Sequence, residues 1–129
     1  MKRMVICLSL VFSISLFLIS CSQEKKNSVA KKNEKFYQVQ MCNRLKGEIE
    51  VVLHDKTRVD CLTDKYAIEV DWAKKWAEGV GQSIYYAEMT SKKPAVALIM
   101  ADTDADERHY KRFSVVAYKL NIHIIRLDK

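Results

Sequence analysis

The chain has 129 residues, with 22 Lys and Arg against 16 Asp and Glu and a formal charge of +6. Once an N-terminal targeting segment is set aside, about 95 residues remain, enough for one small domain and too few for a multidomain enzyme. Loss of Lys2 and Arg3 with that segment leaves 20 basic against 16 acidic side chains, a balance that permits a nucleic-acid partner without requiring one.

Lys2 and Arg3 precede an almost unbroken apolar run from Met4 to Ile19. Leu18-Ile19-Ser20-Cys21 then has the form of a bacterial lipobox. It predicts a signal peptide over residues 1–20 and a lipidated Cys21 as the mature N-terminus, with an uncleaved anchor or a plain signal peptide as alternatives. Several acyl chains, at about 0.8 kcal/mol per buried CH₂, make such attachment effectively stable. The expected location is the cell envelope, outside the cytoplasm. Ser22 after the cysteine, rather than Asp, favours the outer membrane in a cell with two membranes. Residues 21–33 are polar, Lys-rich and aperiodic, as a tether with a coil reach of roughly 20 Å would be. Its lysines are also suited to anionic headgroups. The folded domain is expected over residues 34–129.

Four cysteines are present. Cys7 leaves with the signal and Cys21 takes the lipid, so Cys42 and Cys61 remain in an oxidising compartment. A disulfide between them is the natural expectation. Zinc would need more ligands, and His54, His109 and His123 have no ligand spacing.

Phe36–Leu45 has helical spacing, and Gly47 is expected to end that helix in a left-handed cap. Gly47–Leu53, Thr57–Leu62 and Tyr66–Asp71 alternate as strands joined by short polar turns. The alternation puts Glu50, Asp60, Glu69 and Asp71 on one side of a meander, with Arg58 beside Asp60 and Cys61 on the other side. A bond from Cys42 to Cys61 would then clamp the first helix to the face opposite the acidic one. Trp72–Met89 has the spacing of one helix, with Trp72, Trp76, Val80 and Ile84 as its apolar side. At about 100° per residue, Lys75, Gln82 and Tyr86 fall within about 40° of one another. Gly79 and Gly81 weaken this helix by about 1 kcal/mol each relative to Ala and permit close backbone approach. Ala95–Met100 has the unbroken apolar character of a strand buried on both faces. Thr103 is a candidate N-cap for an acidic-entry helix running to about Leu120. Asn121–Leu127 supplies a last strand, parallel to Ala95–Met100 through a right-handed crossover. The order αβββαβαβ predicts a three-layer α/β domain with a mixed sheet.

The stretch from Thr57 to Tyr86 resembles the PD-(D/E)XK nuclease superfamily. Asp60 matches the Asp on one strand, Glu69-Val70 the start of Glu-x-Lys on the next, and Gln82-Ser83-Ile84-Tyr85-Tyr86 the Gln-x-x-x-Tyr of the following helix. One position departs, since Asp71 stands where the family has Lys. The resemblance implies a restriction-endonuclease-like fold and a Mg²⁺- or Mn²⁺-dependent nuclease acting on DNA or RNA. In that chemistry the ion polarises the phosphate and lowers the pKa of the attacking water. Asp60 and Glu69 would be the ligands, with Glu50 and Asp71 able to join the shell. Lys75, one helical turn beyond Asp71, would reach back in place of the missing lysine. Gln82 would order the site, and Arg58 and Tyr86 would contact the substrate. The competing expectation leaves the carboxylates on a solvated face balanced by Arg58 and lysines. The domain would then be a non-catalytic lipoprotein that binds nucleic acid or protein.

Overall fold

In the computed structural model, which describes residues 32–129, the chain begins with Asn33 capping the first helix. Its side-chain oxygen accepts from the Phe36 N–H at 3.0 Å and starts α1 (Glu34–Arg44). Glu34 in the first turn and Arg44 in the last complement the helix dipole. The predicted signal peptide, the lipidation of Cys21 and most of the tether lie outside the described residues.

The left-handed residue after α1 is Lys46, at φ 54°, and not Gly47. The N–H of Lys46 donates to Asn43 O and that of Gly47 to Cys42 O, as in a Schellman closure. Glycine is needed at 47 for a different reason. A Cβ there would lie 2.7 Å from Cys61 Sγ and 2.9 Å from Cys42 Sγ, so the position is cleared for the disulfide. That bond forms between Cys42 and Cys61 with Cα atoms 5.6 Å apart.

Five strands follow as one mixed sheet in the order β1 (Glu48–Val52), β2 (Arg58–Leu62), β3 (Tyr66–Trp72), β4 (Lys93–Met100), β5 (His123–Asp128). The first three are an antiparallel meander, and β3, β4 and β5 are parallel. The crossovers are α2 (Trp76–Thr90), entered through a 3₁₀ turn at Ala73–Lys75, and α3 (Asp104–Lys119). Thr103 caps α3 as predicted, its Oγ1 accepting from the Asp106 N–H at 3.1 Å.

Strand β4 shows how the layers are divided. Ala95, Ala97 and Ile99 pack with Tyr37, Met41 and Cys42 of α1, while Val96, Leu98 and Met100 pack with Val80 of α2 and Phe113 and Ala117 of α3. Every residue from Ala95 to Met100 is buried, which explains why the run is apolar without alternation. Successive crossovers of one hand, moving one way across a sheet, place both helices on one face, leaving α1 to cover the other.

Two expectations are corrected here. The second helix does not begin at Trp72, whose extended backbone (ψ 145°) closes the strand. Its ring packs edge-on to Tyr37, 6.0 Å away, on the α1 face. The seam that α2 buries is therefore Gly79, Val80, Ser83, Tyr86 and Ala87, and Ile84 stays exposed. The meander also fails to alternate cleanly. Cys61 packs against α1, but Val59, two residues earlier, packs with Ala67 and Tyr86. The change of face occurs at Asp60, where the β2–β3 ladder stops after Cys61↔Ile68. Glu50, between the registered pairs Ile49↔Cys61 and Val51↔Val59, has φ 56°.

Candidate functional site

Glu69 and Asp71 alternate with Ile68 and Val70 along β3, so they point away from α1 and beneath α2. Gly79 lets the helix close over them. A Cβ at that position would lie 3.3 Å from Val96 Cγ1 and 3.9 Å from both Asp71 Cβ and Glu69 Cγ. The two carboxyl groups are consequently buried, at 6% and 2% residual exposure. A buried carboxylate is costly unless it is paired.

Asp71 is paired in part. Its Oδ1 accepts from the Trp72 N–H at 2.9 Å and lies 3.5 Å from Lys75 Nζ, which also approaches Glu78 at 3.8 Å. Burial still holds the Asp71 pKa above its ordinary value, against the pull of Lys75. In turn the Asp71 charge, more than that of Glu78, raises the Lys75 pKa. Lys75 thus reaches back to β3 as expected, and its contacts there are with Asp71.

Glu69 is not paired. Its Oε2 has no hydrogen-bond partner, and burial, followed by the charges of Asp60, Asp71, Glu34 and Glu78, pushes its pKa up to about 9. At neutral pH the group holds a proton. Tyr86 is buried, and Gln82 lies close enough to lower its pKa in part. Burial and then the Glu69 charge raise the Tyr86 pKa. Of the two helix positions singled out in the sequence, Tyr86 thus feels the Glu69 charge, and Gln82 acts on Tyr86.

Asp60 has another setting. Its Oδ2 accepts from the Val70 N–H at 2.9 Å, standing in for a missing strand partner, and Oδ1 lies 3.3 Å from Gln38 Nε2 of α1. Burial raises its pKa, opposed by the Val70 N–H. Its carboxylate lies at the opening between β2 and β3 and not on the sheet face proper.

Glu50 and Arg58 lie apart from Glu69 and Asp71, although the Glu50 charge helps to raise the Asp60 pKa. Glu50 lies 2.5 Å from Lys35 Nζ and 3.3 Å from Arg58 Nη1, both largely exposed. These partners, Lys35 foremost, lower the Glu50 pKa. Glu50 is thus a neutralised surface carboxylate, and the alternation that placed it with Glu69 fails at the left-handed turn of its own backbone.

Two residues were missed by the sequence reading. Glu34 has its pKa raised by burial and then by Asp71, with Lys75 opposing, so it belongs to the same electrostatic group. Glu78 meets Lys75. Glu34 looked like an ordinary first-turn helix acid, and no local spacing links position 34 to position 71.

Glu34 also lines a cleft of about 590 Å³ with Lys32, Asn33, Trp72, Lys74, Ala101, Asp106 and Lys129. The cleft opens at the carboxyl ends of the parallel strands, where ligands of open α/β sheets commonly sit. Glu69, Asp71 and Lys75 do not line it.

Among the described residues, no three His, Cys, Asp or Glu side chains form a group set to hold a metal ion. Mg²⁺, however, commonly takes one or two carboxylates and completes its shell with water and substrate phosphate. Glu69 and Asp71 could supply those carboxylates, and a cation there would offset the desolvation of both groups, but with α2 closed at Gly79 the Glu69 Oε2 is out of reach of solvent.

No protein-family model matches the chain, and no curated protein or solved structure shows significant similarity to it.

Proposed function

We propose that the domain is a Mg²⁺- or Mn²⁺-dependent phosphodiesterase of the PD-(D/E)XK type. It is held at the membrane surface outside the cytoplasm by a lipid on Cys21, and it acts on DNA or RNA. The observation that carries this reading is Glu69, a buried carboxyl with an unpartnered oxygen among further acids. Stability alone does not account for such a group, since a well-packed apolar residue would serve better. Perturbed carboxyl groups cluster at functional sites. The element order αβββαβαβ agrees with the restriction-endonuclease-like fold.

Glu69 and Asp71 would hold the cation, with Asp60 at its margin. When bound, it would supply electrophilic activation of the phosphate and a more acidic water. The chain's own residues do the rest. Lys75 puts a positive charge 3.5 Å from Asp71, and a cation of this kind could stabilise negative charge developing on a phosphate. Tyr86 lies near enough to feel the Glu69 charge, and α2, closed down at Gly79, keeps water from the Glu69 stem.

The second reading, a non-catalytic binding module, is favoured by one specific feature. Both Asp60 oxygens are engaged by neutral donors, Val70 and Gln38, which makes Asp60 a structural strap as it stands. Mn²⁺ titration and cleavage assays on the chain from Ser22 onward separate the two. A nuclease should bind Mn²⁺ and cut, with both properties lost in Glu69→Ala. Asp60→Ala should abolish cleavage, and Lys75→Ala should slow it more than Lys74→Ala. A protein that neither binds Mg²⁺ or Mn²⁺ nor cuts DNA or RNA would leave the binding module as the function.

A further inference from the structure

We propose that the outer face of α3 is a membrane-docking surface that lies on anionic phospholipid headgroups. From Arg108 onward, its exposed residues are Arg108, Lys111, Arg112, Val115, Tyr118 and Lys119. At about 100° per residue they fall within an arc of about 120°, opposite the buried seam of Phe113 and Ala117. Four carry positive charge, and among the described residues none of the four is in a salt bridge. The acids of α3 are confined to its first turn, where Asp106 bonds Ala101 and Glu107 bonds Arg126, while Asp104 is exposed and falls within the same arc one turn before Arg108.

An ordinary solvated face would be expected to mix charges and avoid large apolar groups. Here Tyr118 is 85% exposed, Val115 67% and Leu120, just past the helix, 48%. Glu88 lies across a groove that it lines with Leu120 and Lys92. Basic residues interleaved with an exposed aromatic and aliphatics suit the interface of a bilayer, where cations meet phosphate and apolar groups enter the acyl boundary. A nucleic acid would use the cations and leave Val115 and Leu120 without a partner.

The position of the chain's entry supports the same occupant. Lys32 and Asn33 share the wall of a cleft with Asp106, so the domain is entered beside the first turn of α3. Lys32 stands eleven residue steps beyond Cys21, giving a reach of about 18 Å as a coil and about 36 Å fully extended. At 1.5 Å per residue, α3 is about 24 Å long. A lipid on Cys21 would therefore leave the whole face within reach of the membrane. The proposal rests on the anchor reading for its location only.

The test is co-sedimentation of the unacylated chain Ser22–Lys129, which holds every described residue, with vesicles of equimolar phosphatidylglycerol and phosphatidylcholine. Without the acyl group, the outcome does not depend on lipidation, which palmitate labelling of Cys21 reads separately. Each basic residue at the surface is worth about fivefold in partitioning. Arg108→Gln, Lys111→Gln, Arg112→Gln and Lys119→Gln together should therefore cut binding by at least about a hundredfold. The same charge change at exposed Lys46, Lys56, Lys65 and Lys93 should cut it by less than about tenfold. Val115→Ser with Tyr118→Ser should weaken binding by about tenfold at unchanged charge, with circular dichroism confirming the fold. Equal losses in the two charge variants, or no binding to these vesicles by the parent chain, would overturn the proposal. So would a stripe variant that loses a single-stranded oligonucleotide while keeping vesicle binding.

Discussion

The two faces of the sheet are built on different principles. On the α1 face, Ile68, Val70, Ala97 and Ile99 meet Tyr37 and Met41, and the Cys42–Cys61 bond ties helix to strand. On the α2 face, β3 presents Glu69 and Asp71 to the helix backbone at Gly79. One strand, Tyr66–Trp72, thus supplies dry packing from its alternate residues and buried acid from the others. The first face lends the domain its stability, and the second spends part of it on a site. A domain of this size has a net stability of only about 5–15 kcal/mol, so such a division needs the covalent tie on one side.

Glu69→Gln gives the sharpest test of this contrast. The folded-state pKa of Glu69, about 9, lies above its ordinary value of 4.5. The folded protein therefore holds a proton that the unfolded chain releases. The contribution of Glu69 is fully present below about pH 4.5 and is lost progressively as pH rises towards about 9. At pH 8 the loss amounts to about 5 kcal/mol, at 1.36 kcal/mol per pKa unit. The amide removes this dependence, while its added buried donor costs about 1–3 kcal/mol. The variant should gain about 2–4 kcal/mol at pH 8, lose about 1–3 kcal/mol at pH 4, and lose Mn²⁺ binding. Denaturant melts across that range, with and without Mn²⁺, measure all three.

On the opposite face, Cys42→Ala with Cys61→Ala should cost about 3 kcal/mol, from the loop entropy of a 19-residue separation. Guanidinium melts should show this loss at both pH 4 and pH 8. If it appeared at only one pH, the two faces would be coupled and not independent.

The glycines sharpen the comparison further. Gly47→Ala should cost about 1–3 kcal/mol, because its Cβ meets both disulfide sulfurs. Gly79→Ala should cost about 1 kcal/mol in stability and a larger share of Mn²⁺ affinity, because its Cβ meets Val96 beside the two acids. Gly81→Ala has nothing within 4 Å and should stabilise by about 0.5–1 kcal/mol without altering either face. Thermal melts of the three, paired with Mn²⁺ titration, rank these effects.

Much of the architecture was legible in the chain. The apolar run Ala95–Met100, the Thr103 cap and the pairing of Cys42 with Cys61 each rest on local pattern or simple counting, and all are present in the fold. The Glu69–Asp71 alternation and the placing of Tyr86 within reach of the Glu69 charge also follow from the periods of strand and helix. What alternation missed lies where the backbone departs from its period. Glu50 takes a left-handed conformation, and the ladder stops at Asp60, so both leave the face assigned to them. Trp72 was counted into a helix because its spacing fitted, but tertiary packing on Tyr37 holds it in the strand. Glu34 entered the acidic group only through the folding of α1 against the far end of β3, which brings its charge to bear on a residue 37 positions away. Local periodicity reports which way a side chain points along its own element. Which distant carboxyl groups share a volume, and so which of them must hold a proton, is decided only when the elements pack.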